Sequence, residues 1–206
     1  ARQALEAVDR VSTGARSLAA ERAARLRVVA SLTIAEQLAP AWIARFRRGL
    51  PGHQVRLEVA GWLGAADRRY FGDVVQSVER AGLADSFRYR GEVDRQQKID
   101  FLNELHVFSV PAQYREPKGL YILEALANGV PVVQPRLGAS PELVEATAGG
   151  LLVEAGSAPA LADGIEELMQ EEEKRLDLGR GGRESVHAAF GDDAMASSTL
   201  AVYNKY

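Results

Sequence analysis

Along the chain the spacing of apolar positions switches between every second residue and about every 3.6, the alternation that marks strands followed by helices. The β-branched run LRVVASL (26–32) predicts a strand, and APAWIARFRRGL (39–50) predicts a helix with Trp42, Ile43 and Phe46 on one stripe. Five more strands are predicted by VRLEVAGW (55–62), FRYRG (87–91), VFSVP (107–111), VPVVQP (130–135) and GLLVE (150–154). Between them, ADRRYFGDVVQSVERAGL (66–83), DRQQKIDFLNEL (94–105), the stretch from Gly119 to Asn128 and SPELVEAT (140–147) carry helical spacing. Asp94 is placed as an N-cap and Gly82 as a stop. Six strands separated by helices predict an α/β fold with a doubly wound parallel sheet and helices on both faces. The unbroken apolar runs agree with strands covered on both sides.

Beyond Gly156 the chain reads as helix with an acidic outer face, and DDAMASSTLAVYNKY (192–206) as a last helix. Glu166, Glu167 and Glu171 to Glu173 belong to a solvated face paired with Lys174 and Arg175. The glycines of GRGGRES (179–185) predict a break in that tail. Residues 1–25 stand apart as a helical segment or linker remnant, and 26–206 as one domain.

Composition narrows the function classes. The 206 residues are 47% hydrophobic and 26% charged, an ordinary balance for a globular chain with a sizeable core. A formal net charge of -3 provides no field to gather polyanions, so nucleic acid is not an expected partner. Arg2, Arg10, Arg16, Arg22, Arg25 and Arg27 alternate with alanines and acids at helical spacing, the pattern of a solvated face. The absence of cysteine excludes disulfides, zinc thiolates and thiol nucleophiles. No apolar run approaches the roughly 20 residues that span a bilayer, and a cytoplasmic setting is expected. Because the chain starts at Ala1 inside a helical pattern, it reads as a piece of a longer protein.

Open sheets of this kind bind ligands outside the carboxyl ends of their strands, which directs attention to the loops leading into helices. The richest of these runs from Pro111 to Leu120 and holds Tyr114, Arg115, Glu116, Pro117, Lys118 and Gly119. Pro117 has no amide to lose, and Gly119 permits close approach to the backbone. Amides at a helix N-terminus, with the positive end of the dipole behind them, seat phosphate. Lys118 adds a point charge. Glu124 lies about one turn into the helix, and helical side chains lean toward the N-terminus, so its carboxylate is expected at the mouth. Carboxylates accept from paired hydroxyls. Glu116 and Glu124 therefore suit two polyhydroxylated groups flanking a diphosphate.

EPKGLYILE, followed by ALANGVPVVQPRLGASPELV, resembles the donor-site signature of retaining family 4 (group 1) glycosyltransferases of GT-B architecture, with two facing Rossmann-like domains. The resemblance covers roughly residues 26 to 205 and is specific from about 87 to 155. It implies that this chain is the second, nucleotide-sugar-binding domain, and that an N-terminal acceptor-binding domain is a missing partner. It further implies that Glu116 contacts hydroxyls of the transferred sugar in the catalytic position and that Glu124 contacts the ribose. The backbone at Lys118, Gly119 and Leu120, beside Pro117, would face the sugar and diphosphate, and Gly91 to Val93 would lie beside the base. Gly138 to Glu142 resembles a loop that sets shape. The donor would be UDP- or GDP-linked, with no cofactor and no metal, and the isolated chain would be inactive in transfer.

One departure concerns the loop after the first strand. There the family carries an arginine and a lysine that hold the diphosphate, whereas SLTIAEQLAPAW places Thr33, Leu38 and Ala39 at those points. Lys118, Arg115 and Arg136 are the candidate substitutes. A catalytically degenerate nucleotide-binding or partner-interaction module is the alternative reading, and an epimerase or hydrolase of the same architecture is a third. Other chemistries have less support: G-x-G-x-x-G is absent after the first strand, and so is G-x-x-x-x-G-K-[ST]. His53, His106 and His187 stand apart, Asp67, Asp73, Asp85 and Asp94 are scattered, and Trp42 and Trp62 read as core or loop-end aromatics.

Overall fold

The computed structural model describes residues 25–29 and 54–205. The helix expected over 39–50, the loop positions Thr33, Leu38 and Ala39, residues 1–24 and His53 lie outside the described residues.

Among the described residues six strands form one sheet: β1 (Arg25–Val29), β2 (Gln54–Val59), β3 (Phe87–Tyr89), β4 (Val107–Phe108), β5 (Val132–Pro135) and β6 (Gly150–Val153). Every pairing is parallel and the spatial order is β3-β2-β1-β4-β5-β6. The chain therefore winds outward from β1 to β3, returns to the middle, and winds the other way through β4 to β6. The reversal lies between β1 and β4, and the crevice above those two strand ends is where an open sheet of this topology takes a ligand.

The helices among the described residues are α1 (Arg68–Arg80), α2 (Arg95–Asn103), α3 (Leu120–Ala127), α4 (Ser140–Thr147), α5 (Ala158–Gln170), α6 (Glu172–Ala189) and α7 (Asp192–Tyr203). Among these residues no helix is long and apolar enough to cross a membrane. The sheet separates two cores. On one face, Leu57, Val59, Val107 and Val133 pack with Val78 of α1 and with Leu161, Ile165, Leu168 and Met169 of α5. On the other, Phe108 and Val132 pack with Phe101, Ile122, Leu126, Leu143 and Val186 from α2, α3, α4 and α6. Neighbouring residues of β4 and β5 alternate between the two faces, as the period of a strand requires. Both faces are covered by apolar packing, worth about 1.5–3 kcal/mol for each fully buried large aliphatic side chain.

Strand β4 is shorter than the expected 107–111. Its ladder ends at Phe108, and the backbone of Val110 is taken over by a side chain. The buried Gln134 carboxamide, oriented to satisfy both of its ends, donates to Val110 O at 3.0 Å and accepts from Val110 N at 3.3 Å. An amide side chain thus stands in for ladder bonds and keeps the strand end rigid below the loop that follows.

Two expectations for the tail need correction. Helix α6 continues without a break through Gly179, Gly181 and Gly182. Two of these glycines serve contact. A Cβ at Gly179 would overlap the carbonyl of Gly129, and one at Gly182 would lie 2.7 Å from Leu126 Cδ2 and 2.9 Å from Gly149 Cα. The backbone of α6 comes this close to the turn after α3 only because no side chain intervenes. Arg175, placed on the solvated face by its spacing, is in fact buried. Its guanidinium donates to Leu168 O near the end of α5 at 3.1 Å and pairs with Glu172 at 3.5 Å. Lys174 does pair with Glu167 and Glu171, as the helical spacing suggests.

Candidate functional site

The loop from Ser109 to Gly119 leaves the carboxyl end of β4, beside the sheet's reversal point, and delivers the chain into α3. Gly119 is the N-cap of α3 with φ +61, a left-handed conformation that suits glycine. Its carbonyl accepts from Ile122 N at 2.8 Å, which tightens the first turn. Pro117 and Lys118 are exposed, Gly119 is buried, and Leu120 leaves 59% of its surface exposed at the start of the helix.

Glu116 folds back over this turn. Its Oε1 accepts from the amide of Lys118 at 3.1 Å and from that of Gly119 at 3.4 Å. The family resemblance implies that the backbone at Lys118, Gly119 and Leu120 faces the sugar and diphosphate; the amides of the first two hold the Glu116 carboxylate here. The hydrogen bond from the Lys118 amide is the main reason the Glu116 pKa falls below its ordinary value, helped by the Gly119 amide, the Tyr114 hydroxyl and the Lys118 charge. The Tyr114 phenol is raised by burial first, then by the adjacent carboxylate. Tyr121, on the first turn of α3, is pushed up to about 12 by burial, with the charges of Glu116 and Tyr114 adding to it. Its hydroxyl is buried and, among the described residues, without a hydrogen-bond partner, as is that of Ser109.

A pH prediction follows from the depressed Glu116 pKa. What the folded turn gains from the ionised carboxylate is complete above the unfolded glutamate pKa of about 4.3 and is lost as pH falls through the lower folded value. Side-chain carbon NMR should give Glu116 a midpoint below 4.3, shared by the Lys118 and Gly119 amide shifts. A midpoint at or above 4.3 would show that the amides do not hold the carboxylate.

The following loop supports this one. Gly138, after β5, has φ +61, and a Cβ there would meet Glu116 O at 2.6 Å and Glu116 N at 2.7 Å. The next amide, Ala139 N, donates to Glu116 O at 2.9 Å. Gly138 and Ala139 thus lie directly against the backbone of Glu116.

Glu124 sits eight residues beyond Glu116, half-exposed on α3, and its Oε1 meets Lys98 Nζ of α2 at 2.5 Å. That partner is 26 positions away in sequence. Helix α2 starts immediately after Gly91 to Val93. Its first turn is held by a capping box, with Asp94 Oδ1 accepting from Gln97 N at 2.9 Å and Gln97 Oε1 from Asp94 N at 3.0 Å. Gly91, with φ +77, accepts from Gly61 N at 2.9 Å, while Tyr89 Oη donates to Gly61 O at 2.6 Å. Val93 is half-buried. The ends of β2 and β3 are therefore tied together on the same side of the sheet as the α3 mouth.

Of the cations proposed as substitutes, Arg136 is paired with Glu145 at 3.0 Å, whereas Arg115 and Lys118 are exposed on the site loop. Trp62 lies at the end of β2 and is 72% exposed, a loop-end aromatic as its position suggests. His187 is exposed and its ring lies 3.3 Å from Ala127 O. The residues that sequence reasoning missed are Lys98, Tyr121 and Ser109. Lys98 had no detectable local signal, since its partner lies on another helix.

The profile of the family described as "Glycosyl transferases group 1" matches residues 43–185. Among curated relatives, the N-acetyl-alpha-D-glucosaminyl L-malate synthase of Bacillus anthracis is 29% identical over 133 residues, covering 65% of this chain and 34% of that protein. Among solved structures, HepE from Anabaena in complex with UDP superposes with a TM-score of 0.75 at 19% identity, over 95% of this chain and 52% of that one. The C-terminal domain of a glycosyl transferase group 1 family protein (LpcC) from Francisella tularensis gives 0.68 at 21% identity, over 82% of this chain and 86% of that one. The chain thus spans about a third of the Bacillus relative and most of an isolated C-terminal domain.

Proposed function

Because the chain belongs to the glycosyl transferases group 1 family, we propose that it is the nucleotide-sugar-binding domain of a retaining, metal-independent glycosyltransferase that moves a sugar from a nucleoside diphosphate to an acceptor hydroxyl. The observation that carries this reading is the Glu116 carboxylate, seated on the Lys118 and Gly119 amides at the mouth of α3, beside the sheet's reversal point. Charge-assisted bonds from backbone amides fix its direction before any ligand arrives. Glu116 would then receive hydroxyls of the transferred sugar and Glu124 those of the ribose. The amides of Leu120 and Tyr121, at the start of α3, would face the diphosphate. Pro117 and Leu120 flank that seat, and Gly91 to Val93 would lie beside the base. HepE, which shares this fold, is in complex with UDP, which agrees with a nucleotide as ligand.

Catalysis here would be positioning plus stabilisation of the departing diphosphate. The bond from the anomeric carbon to the diphosphate oxygen would break, the acceptor oxygen would replace it with the configuration kept, and the acceptor's proton would pass to the departing diphosphate. The acceptor would be supplied by an N-terminal domain, and this chain alone should not catalyse transfer. A cytoplasmic setting, where nucleotide sugars are made, fits that role.

Calorimetric titration with UDP, GDP and their sugars tests the reading. Binding is expected, and Glu124→Ala should weaken it about 10- to 100-fold, the worth of hydrogen bonds to a charged group. Failure of every one of these ligands to bind would refute it. The second reading, a domain that binds without catalysing, is favoured by Thr33 and Leu38 and by the pairing of Arg136 with Glu145. Thr33→Arg with Leu38→Lys should raise diphosphate affinity if the remaining pocket is intact.

A further inference from the structure

We infer that Lys98 is a positioning residue for donor binding: it holds the Glu124 carboxylate in the orientation that receives the ribose hydroxyls. The inference rests on the reading of Glu124 as the ribose contact. Three features carry it. The contact is close, with Lys98 Nζ 2.5 Å from Glu124 Oε1, and it joins α2 to α3. Lys98 also has a fixed base. It sits on the first full turn of α2, where the reciprocal Asp94 and Gln97 bonds lock the backbone directly after Gly91 to Val93. Finally, the pair is placed where a ligand can reach it, since both side chains remain over two-fifths exposed.

An exposed pair of this kind contributes little to folding stability. A carboxylate offers two oxygens, and the ammonium engages Oε1, so the contact selects one side-chain orientation while acceptor capacity remains for a diol. A flexible glutamate would have to be ordered on binding; one already held by Lys98 would not. Lys98 also ties Glu124 to α2, whose capping box follows directly on Gly91 to Val93.

The test compares UDP and GDP with their 2′-deoxy analogues by calorimetry, for the wild type, Lys98→Met, Lys98→Arg, Glu124→Gln and the Lys98→Met/Glu124→Gln double variant. The wild type should prefer the ribonucleotides about 10-fold, the worth of one charge-assisted hydrogen bond. Lys98→Met should bring that ratio toward 1, Lys98→Arg should restore most of it, and the double variant should lose no more than Glu124→Gln alone, as expected of two groups acting as a unit. A Lys98→Met ratio equal to wild type, with Glu124→Gln abolishing the preference, would overturn the role of Lys98 and leave the ribose contact standing. A preference that survives Glu124→Gln would instead overturn the ribose reading beneath it.

Discussion

Replacing Arg90 by methionine is expected to cost the fold about 3 kcal/mol, the lower end of the range for breaking a buried ion pair. Glu58 lies in β2 between the buried Leu57 and Val59, with none of its own surface exposed. Its Oε2 accepts from Arg90 Nε at 2.6 Å, and Arg56 approaches its Oε1 at 3.8 Å, beyond hydrogen-bond reach. Among the described residues, Glu58 Oε1 has no hydrogen-bond partner. Arg90 in turn bonds Glu104 at 2.7 Å, and its pKa is raised chiefly by the hydrogen bond to Glu58. Removing the guanidinium would leave a buried carboxylate without its main partner. The lower end applies because a quarter of the Arg90 side chain meets solvent. Joint replacement, Glu58→Ile with Arg90→Met, should recover the loss, since apolar side chains of similar volume often match or exceed a buried pair. Urea unfolding measures both: the single variant shifts the midpoint strongly and the double variant restores it, with the slope unchanged. A single variant within about 1 kcal/mol of wild type would show that the pair is not structurally important.

Gly138→Ala is expected to weaken binding of a nucleotide sugar about 10- to 100-fold, while the bare diphosphate loses much less. The added methyl faces two obstacles. At φ +61 a residue with a Cβ is strained, and the Cβ would sit 2.6 Å from Glu116 O and 2.7 Å from Glu116 N. Backbone atoms cannot rotate aside, so the Glu116 segment must shift, disturbing its bond from Ala139 N and the seating of its carboxylate on the Lys118 and Gly119 amides. Because Glu116 is assigned to the transferred sugar, the loss should depend on the sugar being present. Titration of wild type and variant with UDP, GDP and their glucose or mannose conjugates checks this. Equal loss for conjugated and bare diphosphates would separate Glu116 from the sugar.

The fold was legible because parallel strands covered on both faces need long apolar runs, and runs such as VPVVQP are hard to mistake. Asp94 was legible as a cap because capping is local chemistry, complete within four residues. The stop at Phe108 was not, because it depends on Gln134 reaching across from β5 to Val110. The glycines of α6 misled for a related reason. Gly179 and Gly182 would break an exposed helix, but here they allow close contact with Gly129 and Gly149, which only the tertiary arrangement reveals. The site divides in the same way. Glu116 contacts amides two and three residues ahead, within reach of sequence reasoning, whereas Lys98 with Glu124, and Glu58 with Arg90, are pairs created by the winding of the sheet.

The turn at the start of α3 is proposed to receive the diphosphate of a sugar nucleotide. Amide chemical-shift mapping of this chain during titration with UDP and GDP tests it most directly. Saturable shifts should concentrate at Lys118, Gly119, Leu120 and Tyr121, with smaller ones at Gly91 to Val93 and Lys98. Saturable shifts confined to other surfaces, with these amides unmoved, would contradict the account.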